Sequence, residues 1–424
     1  MKVAVIGAGY TGLACAYKLS KKKIDVTLFE KEDVPGGLAS GFKEEKWKWG
    51  IERHYHHWFT SDNAVKKLAS EVGQKYIFKK PLTFIHYDKK NYRLDSPLSL
   101  LLFNKLSFYD RIKTGMTLSF LKYFSSWRNL EKYTAEDFIK KRMGKRSWEI
   151  LWEPLFRGKF GENSPEISAS WFWARIKKRS TRLGYPVGGY DSFSNLLVKK
   201  IKENGGKVLL NNKVKTIHKE KDKLFVKSEK GIFEFDKVVC TLPTDTFQNI
   251  TEGLPESYSR IVNKFEMIGC VNLLLSLDIS FLEENMYWLS INDEKMPFIS
   301  VVQHTNFMNK KYYTNDNLLY IGNYLDKSHP YFKCSEKDLI RIFLPHLKKI
   351  NGNLKEENIK KAWLFKDYFA QPVVKVGYYD SLYSFETPIK NLYLVNMQQI
   401  YPWDRGTNYA VESGYKVCEK LFVK

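Results

Sequence analysis

The sequence predicts an α/β fold: a doubly wound, Rossmann-like dinucleotide-binding domain interrupted by a discontinuous α+β domain of mixed sheet and helices. Three observations predict it. The apolar run 2–7 (KVAVIG) enters a glycine turn and then a helical pattern, 11–22. A second strand, 25–30, follows at once. Strand-like pieces then recur late in the chain, beyond a long helical middle section. Strand, helix, strand is the smallest unit of a parallel sheet, and its crossover is right-handed.

From about residue 75 the pattern changes to short strands, 76–78 and 83–87, and then to a helical region over about 96–180. Within it, 98–127 is rich in Leu, Phe and Tyr but broken by Lys105, Asp110, Arg111 and Lys113. That pattern favours a helical hairpin roofing a pocket over a helix lying on a membrane surface. The turn Pro186-Val187-Gly188-Gly189-Tyr190 leads into an amphipathic helix, 194–204. Strands at 207–210, 213–218, 224–228, 232–235 and 237–240 are expected to return to the nucleotide-binding sheet. Those near 267–277, 298–303 and 317–324 belong to the second unit, and 361–365 with 392–395 closes the chain. The resulting division assigns 1–75, 186–245 and 361–424 to the cofactor domain, and 76–185 with 246–360 to the substrate domain.

The glycines Gly7, Gly9 and Gly12 form GxGxxG between the first strand and the helix. Gly7 permits a tight turn, Gly9 lets a pyrophosphate reach the backbone, and Gly12 allows close packing of helix on strand. Tyr10 and Thr11 open the helix, whose N-terminus then faces the phosphates. Glu30 ends the second strand, where a carboxylate accepts hydrogen bonds from both adenosine ribose hydroxyls and disfavours a 2′-phosphate. NAD and FAD remain. Lys31 follows, and the second glycine pair, Gly36-Gly37-Leu38, lets a loop pass under a larger cofactor, which selects FAD.

GxGxxG, then E-K-x-x-x-x-G-G-L, then a Gly-Gly turn before a helix and an N-x-x-V-x-x-I strand resemble the flavin-containing amine oxidoreductase superfamily. The resemblance implies that Val214 contacts the adenine through its backbone and that 238–243 is where the chain leaves the FAD domain. It also implies an FAD-dependent oxidoreductase that passes a hydride from an organic substrate to flavin N5. The chain departs from the family at its last strand, where Leu394-Val395-Asn396-Met397 replaces the usual Gly-Asp pair. Asn396 and Thr407 are the candidates to make the missing hydrogen bonds, Thr407 at the start of a helix whose positive end faces the flavin.

The segment 52–59 (ERHYHHWF) holds three of the eight histidines. In an extended strand, His54 and His56 share one face and Tyr55 and His57 the other. A histidine there could move a proton near neutral pH. No carboxylate or histidine partner at metal-ligand spacing accompanies them, so no metal is expected. Arg157 and Lys159 are further candidates for holding an anionic group, with surface ion pairing the competing role. Arg405, in Tyr401-Pro402-Trp403-Asp404-Arg405, could hold a carboxylate or phosphate bidentately, with Tyr401 or Trp403 stacked on the ring. The competing structural role is a capped helix entrance with Asp404 paired to Arg405.

The net charge of +22 favours anionic small-molecule partners, while scattered lysine pairs carry no signature of specific nucleic-acid binding. Five widely spaced cysteines without CxxC exclude a disulfide framework and fit a reducing cytoplasm. No apolar run reaches the ~18 residues of a membrane span, which leaves peripheral membrane contact as the alternative. Two other functions compete with the oxidoreductase. His57-Trp58-Phe59-Thr60 is similar to a motif of UDP-galactopyranose mutase, a flavin-dependent nucleotide-sugar isomerase. A flavin-binding protein without turnover is the third.

Overall fold

The computed structural model describes residues 1–422. Strand β1 (Lys2–Ile6), helix α1 (Tyr10–Lys21) and strand β2 (Asp25–Phe29) occupy the expected positions. Their apolar sequences are buried almost throughout because α1 covers the sheet on one face. The two strands pair in parallel, Val3 opposite Val26. Lys207–Leu209, Lys237–Cys240 and Leu392–Leu394 complete a five-stranded parallel sheet, in the order 207–209, β2, β1, 237–240, 392–394.

Three of the late strands do not join it. Val214–Glu220, Lys223–Ser228 and Gly231–Phe235 form a separate antiparallel sheet of three. The reason lies in their connections: two-residue turns force neighbouring strands antiparallel, whereas entry to a parallel sheet needs a long crossover.

A second correction concerns the expected boundary at 361. Residues 361–365 lie inside a 14-residue strand, Ile359–Pro372, that pairs antiparallel with Met267–Leu277. This is the edge of a seven-stranded mixed sheet continuing through 317–325, 300–303, 286–291, 82–87 and 90–93. The chain therefore re-enters the parallel sheet only at Leu392. Tyr76–Lys79 is outside the large sheet as well, pairing with Leu183–Pro186, which also pairs with Trp58–Phe59.

The helical section contains Pro97–Leu101, Phe108–Tyr123, Ala135–Met143, a run through Phe160 and Ala169–Lys178. The apolar residues of 98–127 divide between the two sides: Leu100, Phe103 and Leu106 are buried in a small core cluster. Thr114, Thr117 and Leu121 face inward from Phe108–Tyr123, while Phe108, Met116 and Phe120 face outward. The C-terminal helix Thr407–Lys420 packs along α1, where Gly414 lies against Thr11 and Ala14.

Candidate cofactor site and active-site cavity

Gly12 sits so close to the preceding turn that a Cβ there would lie 1.9 Å from the Gly7 carbonyl oxygen. Only glycine lets α1 begin at this point, and the first-turn N–H groups of the helix are left without a side-chain cap. The Gly-Gly loop docks on this turn: the Gly36 N–H donates to the Ala8 carbonyl at 2.8 Å, and Gly9 bridges Gly36. The Glu30 carboxylate accepts from Ala8 N–H at 2.7 Å and from Glu32 N–H at 3.0 Å, one bond on each oxygen. Each oxygen retains a lone pair, enough for the two hydroxyls of a ribose. The chain then passes Glu30 again, since Asn212 N–H donates to the Glu30 carbonyl at 2.8 Å, two residues before the buried Val214. An uncapped helix terminus, a steric cradle for a pyrophosphate and a half-used carboxylate fit an adenine dinucleotide.

The structure places the four remaining expected cofactor residues, Tyr10, Lys31, Asn396 and Thr407, in distinct surroundings. The Tyr10 side chain is buried in the core, its hydroxyl bonded to the Tyr190 carbonyl and Ser194, so only its backbone N–H faces outward from the helix start. Lys31 is exposed and pairs with Glu32 at 3.3 Å. Asn396 is committed to its own turn: its carbonyl accepts from Gln398 N–H and Tyr383 OH at 3.0 Å each, and its amide donates to the Leu242 carbonyl. These bonds hold the strand end in place and leave one of the two amide hydrogens of Asn396 without a partner among the described residues. Thr407 is buried in the first turn of the C-terminal helix, which has no side-chain cap at Gly406.

Leu38 from the Gly-Gly loop lines a small cavity of about 20 Å³ together with His54, Tyr55, His56, Cys270, Asn272, Tyr324 and Arg405. The segment between Ile51–Glu52 and Trp58–Phe59 is irregular, so the alternation of an extended strand does not hold. His54, Tyr55 and His56 all reach the cavity, whereas His57 does not line it. His57 packs between Phe59, Tyr287 and Trp288, and its Nδ1 is buried without a partner among the described residues.

His54 Nδ1 lies 2.6 Å from Asn272 Nδ2 and 3.4 Å from Cys270 Sγ. The Asn272 amide donates, which places the His54 proton on Nε2. His56 Nδ1 is 2.5 Å from the His54 carbonyl and donates to it, leaving Nε2 as an acceptor. Burial, followed by neighbouring cations and ring charge, lowers the pKa of His54 to about 3. Burial lowers His56 to about 4 and His57 to about 3. The histidines are therefore neutral hydrogen-bonding groups at pH 7, not proton carriers titrating there, because desolvation outweighs every favourable contact. Glu52, fully buried beneath them, is pushed up to about 7 by the same effect. It accepts from Tyr185 OH at 2.5 Å and from His56 N–H at 3.1 Å.

The Arg405 guanidinium reaches the cavity without a carboxylate partner among the described residues. Its Nε donates to Gln371 Oε1 at 2.9 Å and its Nη2 to Tyr324 OH. The Asp404 carboxylate accepts from the Arg405 backbone N–H at 3.0 Å and pairs with the Arg175 guanidinium at 2.8 Å, with Trp171 Nε1 donating at 3.1 Å and Lys159 at 4.0 Å. Burial opposes charge on Asp404, but Lys159, Arg175 and Arg405 hold its carboxyl well below the usual range. Burial drives Lys159 well below its ordinary value against the pull of Asp404. Arg157 is exposed and paired with Glu153 at 3.0 Å. Neither Tyr401 nor Trp403 lines the cavity. Tyr401 donates or accepts at Ser170 Oγ (2.7 Å) and stacks on Tyr378, while Trp403 stacks on Trp173 and Tyr409. Their large apolar faces are absorbed by core clusters.

The sequence reading missed Cys270, Asn272, Gln371 and Tyr324. A signal was present: Asn272 is a polar side chain in the middle of an 11-residue buried strand, Met267–Leu277, and a buried amide requires a partner.

A parallel sheet with a glycine turn, a ribose-competent carboxylate and a cavity against the second glycine loop define a dinucleotide-binding flavoprotein. The family model for flavin containing amine oxidoreductase matches residues 10–421. The chain belongs to that family, and its cofactor is FAD. Coproporphyrinogen III oxidase of Staphylococcus aureus is 26% identical over 211 residues, 46% of this chain and 44% of that protein, so the alignment spans less than half of the relative's length. The crystal structure of a putative protoporphyrinogen oxidase from an Exiguobacterium species superposes with a TM-score of 0.77 at 16% identity, covering 99% of this chain and 98% of that one. Reduced UDP-galactopyranose mutase also superposes with a TM-score of 0.77, at 15% identity over 99% of this chain and 95% of that one.

Proposed function

We propose that the protein is an FAD-dependent oxidoreductase acting on an organic substrate that carries an anionic group. The observation that carries this reading is the cavity joining Leu38 of the cofactor loop to His54, His56 and a guanidinium, Arg405, that lacks a carboxylate partner among the described residues. When bound, FAD supplies the acceptor for a hydride from the substrate at flavin N5. Arg405 binds the anionic group and sets the distance of the reacting carbon, with Gln371 and Tyr324 holding its plane. His54 donates from Nε2 and His56 accepts at Nε2, so the neutral pair orients a polar substrate without competing for its negative charge. The five cysteines are free thiols, which supports a reducing, cytoplasmic setting.

Anaerobic mixing of the holoprotein with a candidate amine, porphyrinogen or polyene tests the reading. Bleaching of the flavin absorbance by one class is expected. A flavin inert to all three overturns it. A second reading, a nucleotide-sugar isomerase, is favoured by His57-Trp58-Phe59-Thr60 and the likeness of fold to UDP-galactopyranose mutase. It requires that dithionite-reduced protein convert a UDP-hexose with no net redox change. Failure of the reduced protein to bind or convert such sugars removes it.

A further inference from the structure

The helix Phe108–Tyr123 is amphipathic in the inverted sense. Its inner face carries Thr114 and Thr117, bonded to Ser147 Oγ at 2.9 Å and to the Arg142 carbonyl at 3.3 Å. Its outer face carries Phe108, Ile112, Met116 and Phe120 at four-residue spacing, one continuous stripe on a helix. Phe108 is 68% exposed, Met116 69% and Phe124, just past the helix end, 81%. The preceding helix Pro97–Leu101 extends the stripe with Leu98 and, at its end, Leu102, 66% and 72% exposed. Scattered surface apolar residues need no explanation, but a contiguous set this large marks an interaction surface.

Charge selects the occupant. Between residues 97 and 129 there are five cations, Lys105, Arg111, Lys113, Lys122 and Arg128, and a single carboxylate, Asp110. The neighbouring stretch 135–149, which includes a helix packed against Phe108–Tyr123, adds Lys140, Lys141, Arg142, Lys145 and Arg146 against Glu136, Asp137 and Glu149, a further excess of positive charge. A second copy docked face to face on this surface would set these cations against their own equivalents. An anionic lipid surface meets both requirements, apolar depth for the stripe and negative charge for the flanks. Among the described residues no helix is long and apolar enough to cross a membrane, so the contact is peripheral.

We propose that the outer face of residues 98–124 docks the protein on anionic lipid bilayers. The test is sedimentation of the holoprotein with vesicles of phosphatidylglycerol and phosphatidylcholine, and with phosphatidylcholine alone. The wild-type protein is expected to partition onto the anionic vesicles. The pair Met116→Ser and Phe120→Ser, both at exposed positions, should weaken that partition by about tenfold while bound flavin and melting temperature stay unchanged. No partition of the wild type onto anionic vesicles overturns the proposal. Equal binding by the double variant does so too, since binding would then follow overall charge alone. A wild-type dimer in light scattering that the variant converts to monomer, with neither bound to vesicles, assigns the face to self-association instead.

Discussion

At Glu52 a single carboxylate sits under the histidine segment with no cation in contact, and burial raises its pKa from 4.5 to about 7. The folded protein therefore holds a proton there that the unfolded chain releases, and stability from this group falls as pH rises through that window. The shift corresponds to about 3 kcal/mol. Glu52→Gln should gain on the wild type by up to that amount between pH 4.5 and 7, read as the difference between chemical denaturation curves across pH. A constant difference would contradict the assignment. His54, His56 and His57 act in the opposite sense, because their depressed values make the folded state resist protonation below about 6.5. Arg405 belongs to the same scale. Its two bonds leave from different guanidinium nitrogens, to Gln371 and Tyr324, which an ammonium cannot reproduce. Arg405→Lys is expected to lower kcat/KM on the true substrate by about 10- to 100-fold with flavin content unchanged, the loss of a charge-assisted bond or two.

The packing of α1 on the C-terminal helix is close. A Cβ on Gly414 would stand 2.4 Å from the Thr11 carbonyl oxygen and 3.1 Å from the Ala14 Cβ. Gly414→Val must push the helices apart at the turn that faces the cofactor, costing about 1–3 kcal/mol and some flavin affinity. The melting temperatures of apo- and holoprotein measure both: the variant should melt lower, and added FAD should raise it less than in the wild type. Glu30 sets the other limit of the same site. Glu30→Ala removes the acceptor for Ala8 N–H and for the ribose, and a Kd for FAD raised by about 10-fold or more is expected by titration into apoprotein.

Across the whole molecule, the cavity exists because segments far apart in the chain meet. His54 meets Cys270 and Asn272 across 216 and 218 residues of chain. Spacing arguments reach a turn or a helix, not such a distance. The glycine turn, Glu30 and the strands at 207–210 and 237–240 were legible because each depends on neighbours within a few residues or on apolar runs that only a covered parallel sheet accommodates. The hairpins at 214–235 were misassigned because strand content says nothing of partner, while connection length does. Tyr401 and Trp403 were expected at the flavin because they lead into the C-terminal helix, yet their rings pack on Tyr378, Trp173 and Tyr409, since aromatic surface is claimed by whatever core lies beside it.

The cofactor loop, the carboxylate at the end of β2 and the class of sheet could be read from the residues alone, because they follow from local conformational freedom and from apolar periodicity. Which side chains line the cavity, how deeply the histidines are buried there, and that the helix Phe108–Tyr123 turns its apolar stripe to the outside emerge from the folded chain. Burial, desolvation and exposure are properties of what packs against a residue, and that partner is chosen by the whole fold.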